Sequence, residues 1–557
     1  MPHPKMRSSC LIWLVAIASS ASPQALAEHQ TATLDDPYVG GSLPYSLEIS
    51  EVSLAPAELP NIHSVAAASW GGRWVIVAGR TNGLHGLTGN NAFDPAFESR
   101  DIWVIDPGSH ESWHKSLEDS PASGLGQDQV DSLSSVNTQF YQDGETLLVL
   151  GGYGYQRSAS DHVTYDRLSA IDLPGIIDWV MAPAGTEATL ASDHIQQISD
   201  SYFQVTGGGL ERIGDEFQLV FGQNYPGRYR PNFNGVYTQC VRRFKIDLSG
   251  GSLSVPASSM IQTAQQPEFR RRDLNVVKVL EYAADPGELE EAVLALSGVF
   301  TPTDGVWTVP VIVRPGGDVT MPDPQEEETL QQGFQIYHCA KANLFHRATG
   351  EMHTILFGGI TVLEHEDVSG TWTQDDNAPF TNQCGVVVRH GDGRFEQFLL
   401  DTQFPRILSD GKELRFGANA EFFPAPDAPV LERLIFDLAA IDQPLVLGHI
   451  FGGLIADAGN GGDTGSSGRV FEVRLTPQLP VPEPLEIAVF PPAVDLQIAG
   501  EAGSAYLLEH SPDLSAWRPA AAPVDGDGSP IHWSLDETAA SYFYRVLAGT
   551  QSQPADN

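Results

Sequence analysis

Short apolar runs that stop at glycine recur along this chain. They are Val75–Ala78 before Gly79, Leu147–Leu150 before Gly151-Gly152, and Phe217–Phe221 before Gly222. Three more follow: Val293–Leu296 before Ser297-Gly298, Ile355–Phe357 before Gly358-Gly359, and Leu445–Phe451 before Gly452-Gly453. Runs this short and apolar predict buried strands. Each is accompanied by further short stretches between turn residues. The first repeat adds Asp101–Asp106 and Ser112–Leu117; the second adds Val163–Tyr165, Ile171–Leu173 and Ile176–Val180. The third adds Val236–Phe244, and the fifth Cys384–Arg389 and Phe395–Leu400. A unit of about four short strands, repeated around six times, predicts a radial array of small sheets, a β-propeller.

The sixth unit is one strand short. It has Leu445–Gly453 and Arg469–Leu475, after which the chain leaves through Pro477, Pro480, Pro482 and Pro484. Tyr45–Leu54 alternates apolar and polar positions ahead of the first unit, and is expected to complete the last sheet and close the ring. The expected fold is all-β: a six-bladed propeller over 45–478 closed by an N-terminal strand. Seven blades are the alternative, since 401–444 is long enough to hold a divergent unit. A proline-rich linker (479–484) is followed by a small β-sandwich-like module over 485–549 and a disordered tail over 550–557. The module's expected strands are Leu485–Phe490, Ala493–Ile498, Ala505–Glu509, Ile531–Leu535 and Tyr542–Leu547.

The double glycine after an apolar strand, followed by an aromatic residue and later a tryptophan, resembles the kelch repeat. The match is clearest in the first, second and fifth units. That resemblance implies a member of the galactose oxidase central-domain-like superfamily, which includes enzymes, carbohydrate binders and protein-interaction platforms. Tyr506–Trp517 with Tyr542–Val546 resembles the fibronectin-like modules appended to exported bacterial proteins.

Lys5 and Arg7 precede the apolar run Cys10–Ala18, and Ala25-Leu26-Ala27 forms an A-x-A cleavage site. This is a signal peptide over 1–27 and implies a secreted, cell-surface or periplasmic protein. There are 71 acidic and 31 basic residues, a formal charge of −40. Such a surface disfavours nucleic acid and anionic membranes as partners, and no segment of the mature chain predicts membrane insertion. The mature cysteines are Cys240, Cys339 and Cys384, an odd count that excludes a disulfide framework. Cys339 and Cys384 share a repeat and are the pair expected to bond, if one forms.

Candidate chemistry gathers on the loops after the glycine stops and on the residues leading into the inner strands; the family resemblance implies that both open on one face. After the stops come Arg80, Asn82 and His85, then Tyr153 and Tyr155, then Asn224 and Tyr225. Leading inward are Asn137, Arg271, Arg272, Asp273, Tyr337 and His338. Arginine, asparagine and tyrosine around a funnel form a hydrogen-bonding site, and Arg270-Arg271-Arg272 on so acidic a chain suits a carboxylate, phosphate or acidic sugar. Pairing with the chain's own carboxylates, Asp273 first, explains the same residues without a ligand. The leading expectation is binding of an extracellular glycan or an acidic protein segment at the central funnel. The alternative is a carbohydrate-active enzyme on the same face. One version is a copper-dependent oxidase, which the galactose oxidase resemblance suggests through Tyr337 and His338. The other is a sugar mutarotase or epimerase using Arg272, Asp273 and His338. No cofactor is required by any motif, though copper at Tyr337-His338 or calcium at Asp457, Asn460 and Asp463 fits the donor types.

Overall fold

The computed structural model describes residues 43–478 and 486–550, apart from 85–91, 119–121, 231–232, 234, 284–287, 304, 367–369, 491–492, 512–516 and 536–542. The expected signal peptide, the linker and most of the tail lie outside the described residues, as does His85. No helix among the described residues is long and apolar enough to cross a membrane. The chain divides into two compact units, Met1–Pro477 and Gln478–Asn557.

Among its described residues the first unit contains, besides short two-stranded ribbons, five antiparallel four-stranded sheets and one of six strands, the fifth in chain order, and the strand of each nearest the axis begins at Ala66, Gln139, Gly209, Asn275, Ala340 or Ala420. These strands contact their neighbours cyclically, the sixth sheet's against the first's. Apolar packing repeats the cycle. Val75 and Val77 pack with Leu147 and Val149 of the second sheet, whose Leu148 and Leu150 pack with Leu210 and Leu219 of the third. Val220 packs with Val293 and Ala295, whose neighbours Leu294 and Leu296 meet Phe345 and Leu356. Ile355 and Phe357 meet Phe422 and Ile450, and Phe451 meets Trp74 and Ile76 of the first sheet. Each sheet is thus buried on both faces, which is why its strands read as unbroken apolar runs. The fold is propeller-like and all-β.

The last sheet is completed by Tyr45–Val52, paired antiparallel to Val470–Pro477 from Tyr45↔Pro477 to Val52↔Val470. Its alternation matches its setting: Tyr45 and Ile49 are buried, and Ser46 and Glu48 are exposed. The segment 401–444 contains the short hairpin Leu408–Ser409/Lys412–Glu413, the inner strand Ala420–Pro424 and a second hairpin, Val430–Glu432/Ile435–Asp437. That second hairpin runs parallel to Ala340–His346, with Asn343 opposite Ile435, and extends the fifth sheet to six strands.

One local expectation is corrected, and one pairing left open by the sequence is settled. Ile176–Val180 belongs to the helix Leu173–Met181, not to a strand. Asp172 caps it by accepting from the Gly175 amide, Pro174 occupies its first turn, and Leu173, Ile176, Ile177 and Val180 form its buried stripe. The second sheet's outer strand is Ile195–Ser199 instead. Cys339 and Cys384 are not bonded; all three described cysteines are free and buried. Strand Glu351–Phe357 lies between the strands that carry them. Two strand spacings, about 10 Å, exceed the roughly 7 Å limit on Cα separation for a disulfide.

The second unit contains a three-stranded sheet (Glu486–Phe490, Ala493–Ile498, Ile531–Leu535) and a second sheet built on Ser504–Ser511, with Phe543–Thr550 paired along it. Leu496, Tyr506, Leu508, Ile531, Trp533 and Val546 form its core.

Candidate functional site

A residue one or two positions ahead of each inner strand contributes to a belt around the axis. The Gly207 amide donates to the Asn137 carbonyl at 3.1 Å, Asp273 to Gly207 at 2.6 Å, and His338 to Asp273 at 3.0 Å. Asn419 donates to His338 at 3.0 Å and Ser64 to Asn419 at 3.2 Å. Ser64, Asn137, Gly207, Asp273 and Asn419 all have φ between 49° and 68°. The left-handed conformation tolerates glycine and short polar side chains best, and those are the residues found.

Within the belt, the inner strands enclose an axial cavity of about 430 Å³ that extends to the hairpin turn at Gly144. Glu211, Lys278, Lys341 and Glu421 line it from four separate inner strands, and His338 from the approach to the strand of Lys341. Lys278 Nζ is paired with Glu291 at 2.9 Å and with Glu432. Arg433, at the turn of the inserted hairpin, reaches Glu211 at 2.5 Å and lies 4.6 Å from the Tyr141 ring centre. Lys341 Nζ sits 3.0 Å from His338 Nε2 and donates to the Cys339 carbonyl at 3.3 Å. His338 Nε2 is 3.8 Å from Glu421 Oε1, a buried oxygen that accepts no hydrogen bond.

Burial sets the protonation states. It pushes Glu421 up to about 7, against the pull of Lys341 and Arg433. It holds His338 well below the ordinary imidazole range, assisted by Lys341 and opposed by a hydrogen bond with Asn419. It lowers Lys341, opposed chiefly by Glu421, and raises Glu211, opposed chiefly by Arg433. A carboxyl that holds its proton near neutral pH therefore faces a neutral imidazole, the arrangement of an acid and a base sharing one cavity.

Of the residues singled out from the sequence, Asn137, Arg272, Asp273, Tyr337 and His338 come together at the belt. The Asp273 carboxylate accepts from Asn137 Nδ2 at 2.8 Å, from Arg272 Nη1 at 2.5 Å and from the Tyr337 side chain. Arg272 also donates to the Tyr237 hydroxyl at 3.1 Å and lies over Phe300. Arg271 points instead into the packed interior. Its guanidinium donates to the carbonyls of Glu268, Ser297 and Val309 and sits against Trp307, and burial lowers it to about 9.

The remaining candidates are engaged with protein groups of their own or neighbouring loops. Arg80 donates to Asn82 Oδ1 and to the Asp94 carbonyl, both at 3.1 Å, and burial lowers it to about 10. The Tyr153 hydroxyl donates to the Gly227 carbonyl at 2.7 Å, and the Tyr155 amide donates to Glu98 at 2.7 Å. Asn224 donates to Gln204 at 2.9 Å, and the Tyr225 hydroxyl accepts from the Arg230 amide at 2.9 Å. Asp457 accepts from Lys412 and from the Asp463 amide, and Asn460 donates to Asp375 at 2.7 Å. Among the described residues no group of three or more histidine, cysteine or acidic side chains is arranged to hold a metal.

Sequence reasoning passed over Glu211, Lys278, Lys341, Glu421 and Arg433. The first four carried a readable signal: an ionisable residue embedded in a short apolar strand, as in Ala340-Lys341-Ala342 and Ala420-Glu421-Phe422. Only the cyclic packing reveals that these strands meet at an axis.

No family model matches the chain. No curated protein matches it. Solved structures that it resembles include one named as YjhT (10% identity, 76% of this chain and 100% of that one, TM-score 0.37). A second is the β-xylosidase RS223 (10% identity, 64% and 99%, TM-score 0.29). A third is an exo-β-1,3-galactanase from Phanerochaete chrysosporium (11% identity, 75% and 93%, TM-score 0.20). The kelch resemblance is therefore corrected: no family model supports it. The reason lies in the glycines that carried it. Gly151 (φ 63°) and Gly358 (φ 58°) stop their strands where a Cβ would lie 2.0 Å from the Val205 carbonyl oxygen and 2.5 Å from that of Phe416, each in the segment that leads into the next sheet's inner strand. Close packing of successive sheets demands these glycines, so they report geometry and not ancestry.

Proposed function

We propose that this protein is an exported, carbohydrate-active enzyme whose six sheets are the blades of a propeller and whose axial cavity carries out acid–base chemistry at the anomeric centre of a small reducing sugar. The observation that carries the reading is Glu421, a buried carboxyl lining the cavity and pushed up to about 7, whose Oε1 has no hydrogen-bond donor. A sugar ring oxygen at that position takes its proton. His338, kept neutral by burial, accepts the proton of the anomeric hydroxyl, and the ring opens; return of the two protons closes it on either face. Lys278, Glu211 and Arg433 supply charged partners for vicinal hydroxyls. Export rests on the N-terminal leader.

The test is anomer exchange followed by NMR on a panel of reducing monosaccharides and uronic acids. The wild type accelerates exchange for at least one of them. Glu421→Gln reduces that acceleration by about 10²–10⁴-fold, the range for loss of a general acid. No acceleration across the panel, or acceleration untouched by the substitution, overturns the reading. Release of sugar from glycosides without anomer exchange places the site among hydrolases instead.

A further inference from the structure

The axial cavity presents two lysines in different electrostatic settings. Lys278 Nζ is held by Glu291 and Glu432. The hydrogen-bond partners of Lys341 Nζ are His338 Nε2 and the Cys339 carbonyl, neither of them anionic. Among the described residues, no carboxylate oxygen lies within 4.0 Å of it. Yet it lines a cavity that is also lined by a carboxyl with an oxygen lacking a hydrogen-bond donor. A desolvated amine with no carboxylate in direct contact, beside a proton acceptor and a proton donor, is the arrangement of a nucleophilic lysine.

We propose that Lys341 forms an imine with a small aldehyde or ketone admitted to the axial cavity. The lone pair of the neutral amine forms the C–N bond while the carbonyl π pair moves to oxygen. His338 Nε2 relays a proton from the new ammonium to that oxygen, giving a carbinolamine. Protonated Glu421 then donates to the hydroxyl, the C–O bond breaks, and water leaves. The products are a protonated imine on Lys341 and a Glu421 carboxylate facing it, so protons and charge balance without an oxidant or reductant. The substrate class is a polar carbonyl compound small enough for a 430 Å³ cavity, such as an open-chain sugar. This goes beyond the anomeric chemistry above and does not depend on it.

The whole mature protein is incubated with glyceraldehyde and cyanoborohydride at neutral pH, and the adducts are mapped by peptide mass spectrometry. Lys412 and Lys245, exposed and each paired with an aspartate, serve as internal references. The expected result is labelling of Lys341 at least 10-fold faster than either reference, falling by about 10-fold in a folded Glu421→Gln variant. Labelling of Lys341 no faster than the references overturns the proposal, and because this comparison uses the wild type, no lysine variant has to fold. Loss of imine trapping with anomer exchange intact removes this inference alone; the converse removes only the anomeric reading.

Discussion

Replacing Glu421 by glutamine isolates the energetic consequence of the axial site. In the folded protein this carboxyl is raised from the ordinary 4.5 to about 7, burial being the largest cause. Between those values the unfolded chain has released the proton and the folded protein retains it. Proton binding therefore favours the fold at low pH, and stability falls as pH rises. At 1.36 kcal/mol per pH unit, the loss reaches about 3 kcal/mol and is complete above about pH 7. Glutamine matches the protonated carboxyl in shape and removes the titration. Denaturant unfolding of wild type and Glu421→Gln at pH 5, 6, 7 and 8 reads the difference. The two are expected to lie close together at pH 5 and to diverge to about 3 kcal/mol in favour of the variant at pH 8. Glu98, also raised to about 7 by burial, tilts both curves equally and cancels in the comparison. Parallel curves would show that Glu421 is ionised throughout, and would remove the acid from the proposed chemistry. An activity that survives unchanged above pH 8 leads to the same conclusion.

Two further outcomes test the architecture. Ile49→Ala in the closing strand should destabilise the protein by about 2–4 kcal/mol, whereas Ser46→Ala, on its exposed face, should change stability by less than about 0.5 kcal/mol; equal effects in thermal or denaturant unfolding would contradict the strand's register. Gly151→Ala should cost more than about 2 kcal/mol in the same measurements, since its Cβ meets the Val205 carbonyl and its φ disfavours a side chain; a neutral result would contradict the close approach of the second and third sheets.

What could be read from the sequence follows from what each signal depends on. Leu147–Leu150 and Val293–Leu296 were legible because burial on both faces leaves no polar position to blur the run. Tyr45–Val52 was legible for the opposite reason: as an outer strand it alternates. The helix at Leu173–Met181 was misread because Ile176-Ile177 and Trp179-Val180 resemble a strand, although Asp172 and Pro174 mark a helix start. The state of Cys339 and Cys384 stayed open in the sequence because proximity in a repeat says nothing of the strand between. At the site, Asn137, Asp273 and His338 were found because each leads into an inner strand, a position visible in one dimension. Lys341 and Glu421 were not, because their significance depends on six strands converging. Arg433 was less accessible still, since it reaches the axis on a hairpin whose partner, Ala340–His346, lies some way back along the chain.

The pairing of Tyr45 with Pro477 places the two ends of a polypeptide of more than 400 residues side by side in one sheet. During synthesis, the first strand made has no partner until the last one emerges. Contacts so distant in sequence form slowly, and until they do the apolar flanks of the first and sixth sheets stand open to self-association. An export route that delivers the chain unfolded would postpone this closure until translocation is finished.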